Sequence, residues 1–265
     1  MKKACITIYF ILLSATITFG DEVDERLPNT VPQELKASTR NMIHTGINSD
    51  SAIEITEAML QHQFEMQYIL DAQQILIDTH NNGLPTGPLI NKAYEGISKQ
   101  ITSGNIVQAM EKIQSRYAFA YQQAGIITKQ HPQKSQLGNT LADGLAAGMN
   151  QTDAAKIMTT LDSKARNMDP DQLNTLAFES LKTVRDIARL GVSSNAAADI
   201  VVQSLQKGYN AADMKSMRSS FLTQSQHTSP QNLAKSYSKA IQNGKGPQGI
   251  GTQGGSHSGS PSGTG

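Results

Sequence analysis

His62 and Glu65 are the residues whose types and spacing come nearest to a metal site. They stand three residues apart in a stretch of helical periodicity, with Glu54, Glu57 and Asp71 nearby. Metal sites in helix bundles use Glu-x-x-His pairs from two helices together with further carboxylates. Here the order is reversed, and no second such pair occurs. A histidine at the edge of a packed seam, beside solvated acids, accounts for the same residues without a metal. His62 and Glu65 are therefore weak metal candidates, and no metal is expected.

The other chemistry-bearing residues are scattered. His44, His80, His131, His227 and His257 occur singly, and the chain holds no HExxH, CxxC, CxxCH or Gly-x-Ser-x-Gly motif. That leaves no zincin, zinc-ribbon, c-type haem or nucleophile-elbow reading. "GIGTQGG" at 249–255 has the glycine content of a phosphate loop, but no strand pattern precedes it and no helix pattern follows. The sequence thus offers no catalytic or cofactor-binding residue, and a non-enzymatic protein without a cofactor is expected. "RYAFAYQQ" (116–123) gathers Tyr117, Phe119 and Tyr121 with Arg116 in a chain that is 5% aromatic. Tyr117 and Tyr121 lie one helical turn apart. Two roles fit them: packing between helices, or an exposed anchor for a partner, with Arg116, Tyr117 and Tyr121 as its residues.

Stepping outward, the N-terminus reads "MKKACITIYFILLSATITFGDEVDER": two lysines, an apolar run from Ala4 to about Phe19, then acids. This is the layout of a secretory signal peptide covering 1–20, with cleavage after Gly20. The apolar run is shorter than the ~20 residues a spanning helix needs, so no membrane span is expected after cleavage. Cleavage removes Cys5, the only cysteine, and leaves 21 basic against 22 acidic side chains. A near-neutral chain without a Lys/Arg run argues against nucleic-acid binding. The expected location is periplasmic or secreted.

Few aromatics, no Trp and many Ala and Gln favour an all-α fold. The phrase "ARLGVSSNAAADI" (188–200) shows how the helices meet. A glycine after a helix takes a left-handed conformation, the apolar residue next along folds back onto the last turn, and Ser or Asn caps a new helix. The same corner occurs at Gly46, Gly148, Gly191 and Gly208, and as Gln100-Ile101-Thr102 without the glycine. Positions five, eight and twelve after each apolar residue are apolar in every copy except at Ser204. The expected architecture is an irregular array of antiparallel helix pairs, without a sheet.

Along the chain, an acidic, polar lead-in (21–33) precedes an N-terminal helical half (34–127). That half contains one long helix from about Asp50 to His80, with His62 on its seam. "NNGLPTGP" (81–88) breaks the chain. Residues 128–136 read as a linker and 137–243 as a C-terminal half, whose Asp169-Pro170 and Ser229-Pro230 mark helix starts. From Gly244 to Gly265 the composition is that of a disordered Gly/Ser tail.

"KAYEGISKQITSGNIVQAMEKIQSRYAFAY" (92–121) resembles a repeat in uncharacterised exported helical proteins of bacteria, which carry an "EGL.KG…I..AL..V..RY" phrase. The resemblance implies export and helical architecture, and no activity. The leading functional expectation is an exported helical-repeat protein serving as an interaction or structural module of the cell envelope, with an unidentified protein partner. The second is a small-molecule or metal binder in an interhelical cavity near His62.

Overall fold

The structure, a computed structural model, describes residues 21–246. Among them every regular element is helical, there is no strand, and no helix is long and apolar enough to cross a membrane. The readings of 1–20 as a signal peptide and of the tail from 247 onward lie outside the described residues. The chain divides into two compact units, Met1–Glu111 and Lys112–Gly265. The first holds α1 (Asp21–Arg26), α2 (Gln33–His44), α3 (Ser49–Gln61), α4 (Met66–Asn81), α5 (Gly87–Ser98) and the start of α6 (Ser103–Ile127). The second holds the rest of α6, then α7 (His131–Ala146), α8 (Gln151–Asp162), α9 (Pro170–Arg189), α10 (Ser194–Gln206), α11 (Ala211–Gln224) and α12 (Pro230–Gln242).

The glycine corners form as their chemistry requires. Gly46, Gly148, Gly191 and Gly208 have φ of 105°, 108°, 83° and 85°, values at which a Cβ is strained. At the first corner Ile47 N–H donates to Met42 O (3.1 Å) and Gly46 N–H to Ile43 O (3.0 Å). These are the two bonds that close a helix whose next residue is left-handed. Asn48 then accepts from Ser51 N–H and starts α3. Asn150 does the same for α8, and Asn210 with Asp213 forms a reciprocal capping box on α11. Gly83 and Gly244 make two further corners, at φ of 67° and 76°.

Within each unit, alternate helices pack side by side. In the first, α2 lies on α4 and α3 on α5. In the second, α7, α9 and α11 form one row and α8, α10 and α12 another. Across α2/α4 and across α8/α10 the contacts hold a steady offset in sequence. Thr39 meets Gln73, and Gly46 meets His80, both 34 residues on. Ser194 Oγ accepts from Asn150 N–H at 2.9 Å, and Lys156 pairs with Asp199 at 2.8 Å. A steady offset means that neighbours in a row run in the same direction, so their corners come level.

Three features depart from expectation. The long helix expected over 50–80 is two helices, α3 and α4, because Gln63 takes φ 56°. Phe64 N–H then folds back onto Met59 O (3.0 Å), making the glycine corner without a glycine. The acidic, polar lead-in also contributes to the core: Val23, Leu27 and Val31 are buried. Asp24 bonds both Lys36 and Arg40, and Arg26 reaches Asp50 and Glu57. The hydrogen bond from Lys36, helped by Arg40, holds the Asp24 carboxyl below the usual carboxylate range. Finally, residues 131–136 of the expected linker are the first turns of α7, and the division between units falls inside α6.

The first unit also buries a polar triad. Thr39 and Thr56 each donate their one hydroxyl proton to the carbonyl four residues back, at 2.8 Å. Only lone pairs remain, so Gln73 must present its NH2, which reaches both hydroxyls at 3.0 and 2.9 Å. All three are at most 1% exposed. The triad ties α2, α3 and α4 in one register. Thr39→Val or Thr56→Val alone should cost about 1–3 kcal/mol, because each strands a buried N–H of Gln73. The triple variant Thr39→Val/Thr56→Val/Gln73→Leu should stay within about 1 kcal/mol of wild type. Urea unfolding of the four proteins checks this.

In the second unit Tyr237 is 1% exposed, edge-on to Phe221 at 5.0 Å, with its hydroxyl accepting from Gln224 Nε2 at 3.1 Å. Burial pushes its phenol from 10.0 up to about 12. The folded state therefore keeps a proton that the unfolded state loses, and stability should fall as pH rises from 10 to 12. Unfolding midpoints measured across that range should drop less in Tyr237→Phe than in wild type.

Candidate functional site

The corners set the shape of the surface. Left-handed residues stand at 46 and 83, and again at 63 and 100, each pair 37 residues apart. A repeat of that length brings the turn from α3 into α4 level with the turn from α5 into α6. Between these two turns lies a depression of about 550 Å³.

Its walls are the turns themselves. Gln61, His62, Gln63, Phe64 and Glu65 form one side; Gln100, Ile101, Thr102 and Ser103, with Ile97 behind them, form the other. Five of these ten, Gln61, Gln63, Gln100, Thr102 and Ser103, carry amides or hydroxyls. Phe64, Ile97 and Ile101 supply the apolar part, and Ile101 is 45% exposed. Gln63 and Gln100 hold φ of 56° and 55°; they are the two non-glycine residues with positive φ among those described. A left-handed residue with a side chain costs about 1 kcal/mol or more. The other left-handed residues among those described are glycines.

His62 and Glu65 both line this depression, but not as a helical pair. His62 is the residue that follows α3 and Glu65 the residue before α4, so the corner separates them. Both are exposed, and no third His, Cys, Asp or Glu joins them in a metal-holding group among the described residues. His62 lines an open depression formed by turns.

The second unit has a depression in the corresponding place. The connection into α9 and the corner into α11 enclose about 460 Å³, lined by Met168, Leu176, Ala211 and Ala212 with Asp171 and Asn210. Its wall is more apolar and its capping residues, Asp169 and Asn210, are engaged with backbone N–H groups.

The aromatic pair sits elsewhere. Tyr117 and Tyr121 are buried, with ring centroids 6.3 Å apart. The Tyr121 hydroxyl donates to Asn139 Oδ1 at 2.9 Å, and a Cβ on Gly138 would overlap its ring. Burial raises both phenols above their ordinary value. The rings therefore pack α6 on α7, and do not form the exposed anchor that was one reading of Arg116, Tyr117 and Tyr121. Arg116 stacks its guanidinium 6.0 Å from the Tyr117 ring centre. The sequence signal missed was Gln63-Phe64, a second copy of the glycine-free corner phrase read at Gln100-Ile101.

Comparisons with protein-family models, with curated proteins and with solved structures returned no match.

Gly138→Ala should destabilise the chain by about 1–3 kcal/mol, because the added methyl forces the Tyr121 ring to move. In a Tyr121→Leu background the same substitution should cost less. Denaturant unfolding of the single and double variants measures the difference.

Proposed function

We propose that the chain is an exported, non-enzymatic helical-repeat protein that presents a binding surface to another macromolecule of the cell envelope. The observation that carries this reading is the recurrence of a depression between successive turns entering the same row, once in each unit. Stacked helix pairs, antiparallel within each pair, bring such turns level, and arrays of this kind bind along the surface so formed. In this chain the two depressions support that role. Export rests on the lysine-initiated apolar run before Asp21. The Gly/Ser-rich segment after residue 246 fits a spacer or a solubilising end.

A second reading, a small-molecule site near His62, draws on the same first-unit depression. His62 and Glu65 stand at its wall and offer one imidazole and one carboxylate.

A photo-crosslinking residue at position 101 or 211, in the exported chain in its own cells, should give a discrete adduct. The same residue at exposed Asn91, which lines neither depression, should give none. Adducts absent at 101 and 211, or equal at all three positions, would contradict the surface.

A further inference from the structure

Building on the reading of a binding surface, we propose that the depression between the Gln63 and Gln100 turns binds an uncharged oligosaccharide. The starting observation is an exception. Among the described residues, left-handed glycines stand at 46, 83, 148, 191, 208 and 244, and left-handed glutamines at 63 and 100. Both glutamines line the same depression. Glycine would relieve the backbone at either position. Two strained residues facing one recess point to use of their side chains, since strain of this kind gathers at sites of function.

The chemistry of the wall selects the ligand. Gln61, Gln63, Gln100, Thr102 and Ser103 present amides and hydroxyls, groups that both donate and accept. A ligand made of hydroxyls, each also donor and acceptor, matches such a wall. No Lys or Arg lines it, so a phosphate or sulfate would meet no cation. His62 and Glu65 are too few for a metal ion, and they add one acceptor and one ring nitrogen pair for hydroxyls. Phe64, Ile97 and Ile101 offer an apolar face for the C–H side of a sugar ring. The volume of about 550 Å³ lies within the range of small-ligand sites. Gln61 also lines a neighbouring depression of about 480 Å³ beside Pro28, Val31 and Leu60, where the one cation, Arg26, is already paired with Glu57. A chain of sugar rings can continue across Gln61 from one recess to the other, which favours an oligosaccharide over a single ring. A peptide main chain shares the donor and acceptor pattern, but this wall lacks the charged or deep apolar pockets that would read its side chains.

Saturation-transfer NMR on the full chain with tri-N-acetylchitotriose and with maltotriose tests the site. Transfer to the ring protons of at least one trisaccharide is expected, with an affinity in the high-micromolar to millimolar range. The double variant Gln63→Gly/Gln100→Gly should weaken that binding by about tenfold or more. Because glycine relieves the left-handed backbone, the same variant should melt about 1–4 °C higher than wild type, so lost binding would not reflect lost folding. Neither trisaccharide binding, or undiminished binding by the double variant, would overturn the proposal. So would binding of inorganic phosphate or of an uncharged decapeptide in their place. A crosslinked partner at position 101 with no trisaccharide binding would sink the carbohydrate site and leave the binding surface standing; absence of both would remove both.

Discussion

A single left-handed residue after a helix is the constraint on which the rest of this structure depends. It stops the helix, returns two N–H groups to its last carbonyls, and turns the next apolar side chain back onto the core. Because the geometry is fixed, each such corner sends the chain into the next helix at a similar angle. Helices two apart then lie side by side, and in α2/α4 and α8/α10 the paired contacts Thr39–Gln73 with Gly46–His80 and Asn150–Ser194 with Lys156–Asp199 show that they run in the same direction. Level helices bring level turns, and level turns leave recesses between them. In the first unit, surface and fold are consequences of one backbone event repeated at 46, 63, 83 and 100.

Corners alone do not fix which face each helix buries. In the first unit that is done by the polar triad, since two threonines without a free proton can be met only by an amide donor. In the second it is done by charge. Arg218, 6% exposed, pairs with Glu179 at 2.7 Å and approaches Asp186 at 3.6 Å, tying α11 to α9. Removing one partner of a pair this buried leaves an unpaired charge, which makes such contacts strict about register. Both devices act inside their own unit. The docking of α1 adds a third, with Asp24 bridging two cations on α2.

Much of the helical layout was legible because glycine, proline and Asn/Ser caps announce helix ends chemically. Asp169-Pro170 and Ser229-Pro230 open α9 and α12, and Gly46, Gly148, Gly191 and Gly208 are corners. Where the signal failed, the backbone did something its residue type does not advertise. Gln63 breaks a seam whose apolar spacing runs straight through it, since Met59, Met66 and Ile69 keep a helical spacing across the break. With Gln63 unseen, and Gly83 taken only as part of a breaker, the 37-residue repeat did not emerge, and the recess between the two glutamine turns could not be placed. The lead-in hid its three buried residues, Val23, Leu27 and Val31, among acids that are themselves engaged in ion pairs. Tyr117 and Tyr121 could not be assigned to packing or to a surface from spacing alone; that required knowing that Gly138 lies beneath the ring.

The backbone at Gln63 and Gln100 in solution tests this account most directly, through φ-sensitive NMR couplings at the two residues. Positive φ near 56° and 55° at both is the predicted result. A negative, helical φ at Gln63 would join α3 and α4 into one rod. It would contradict the corner, the repeat and the recess together.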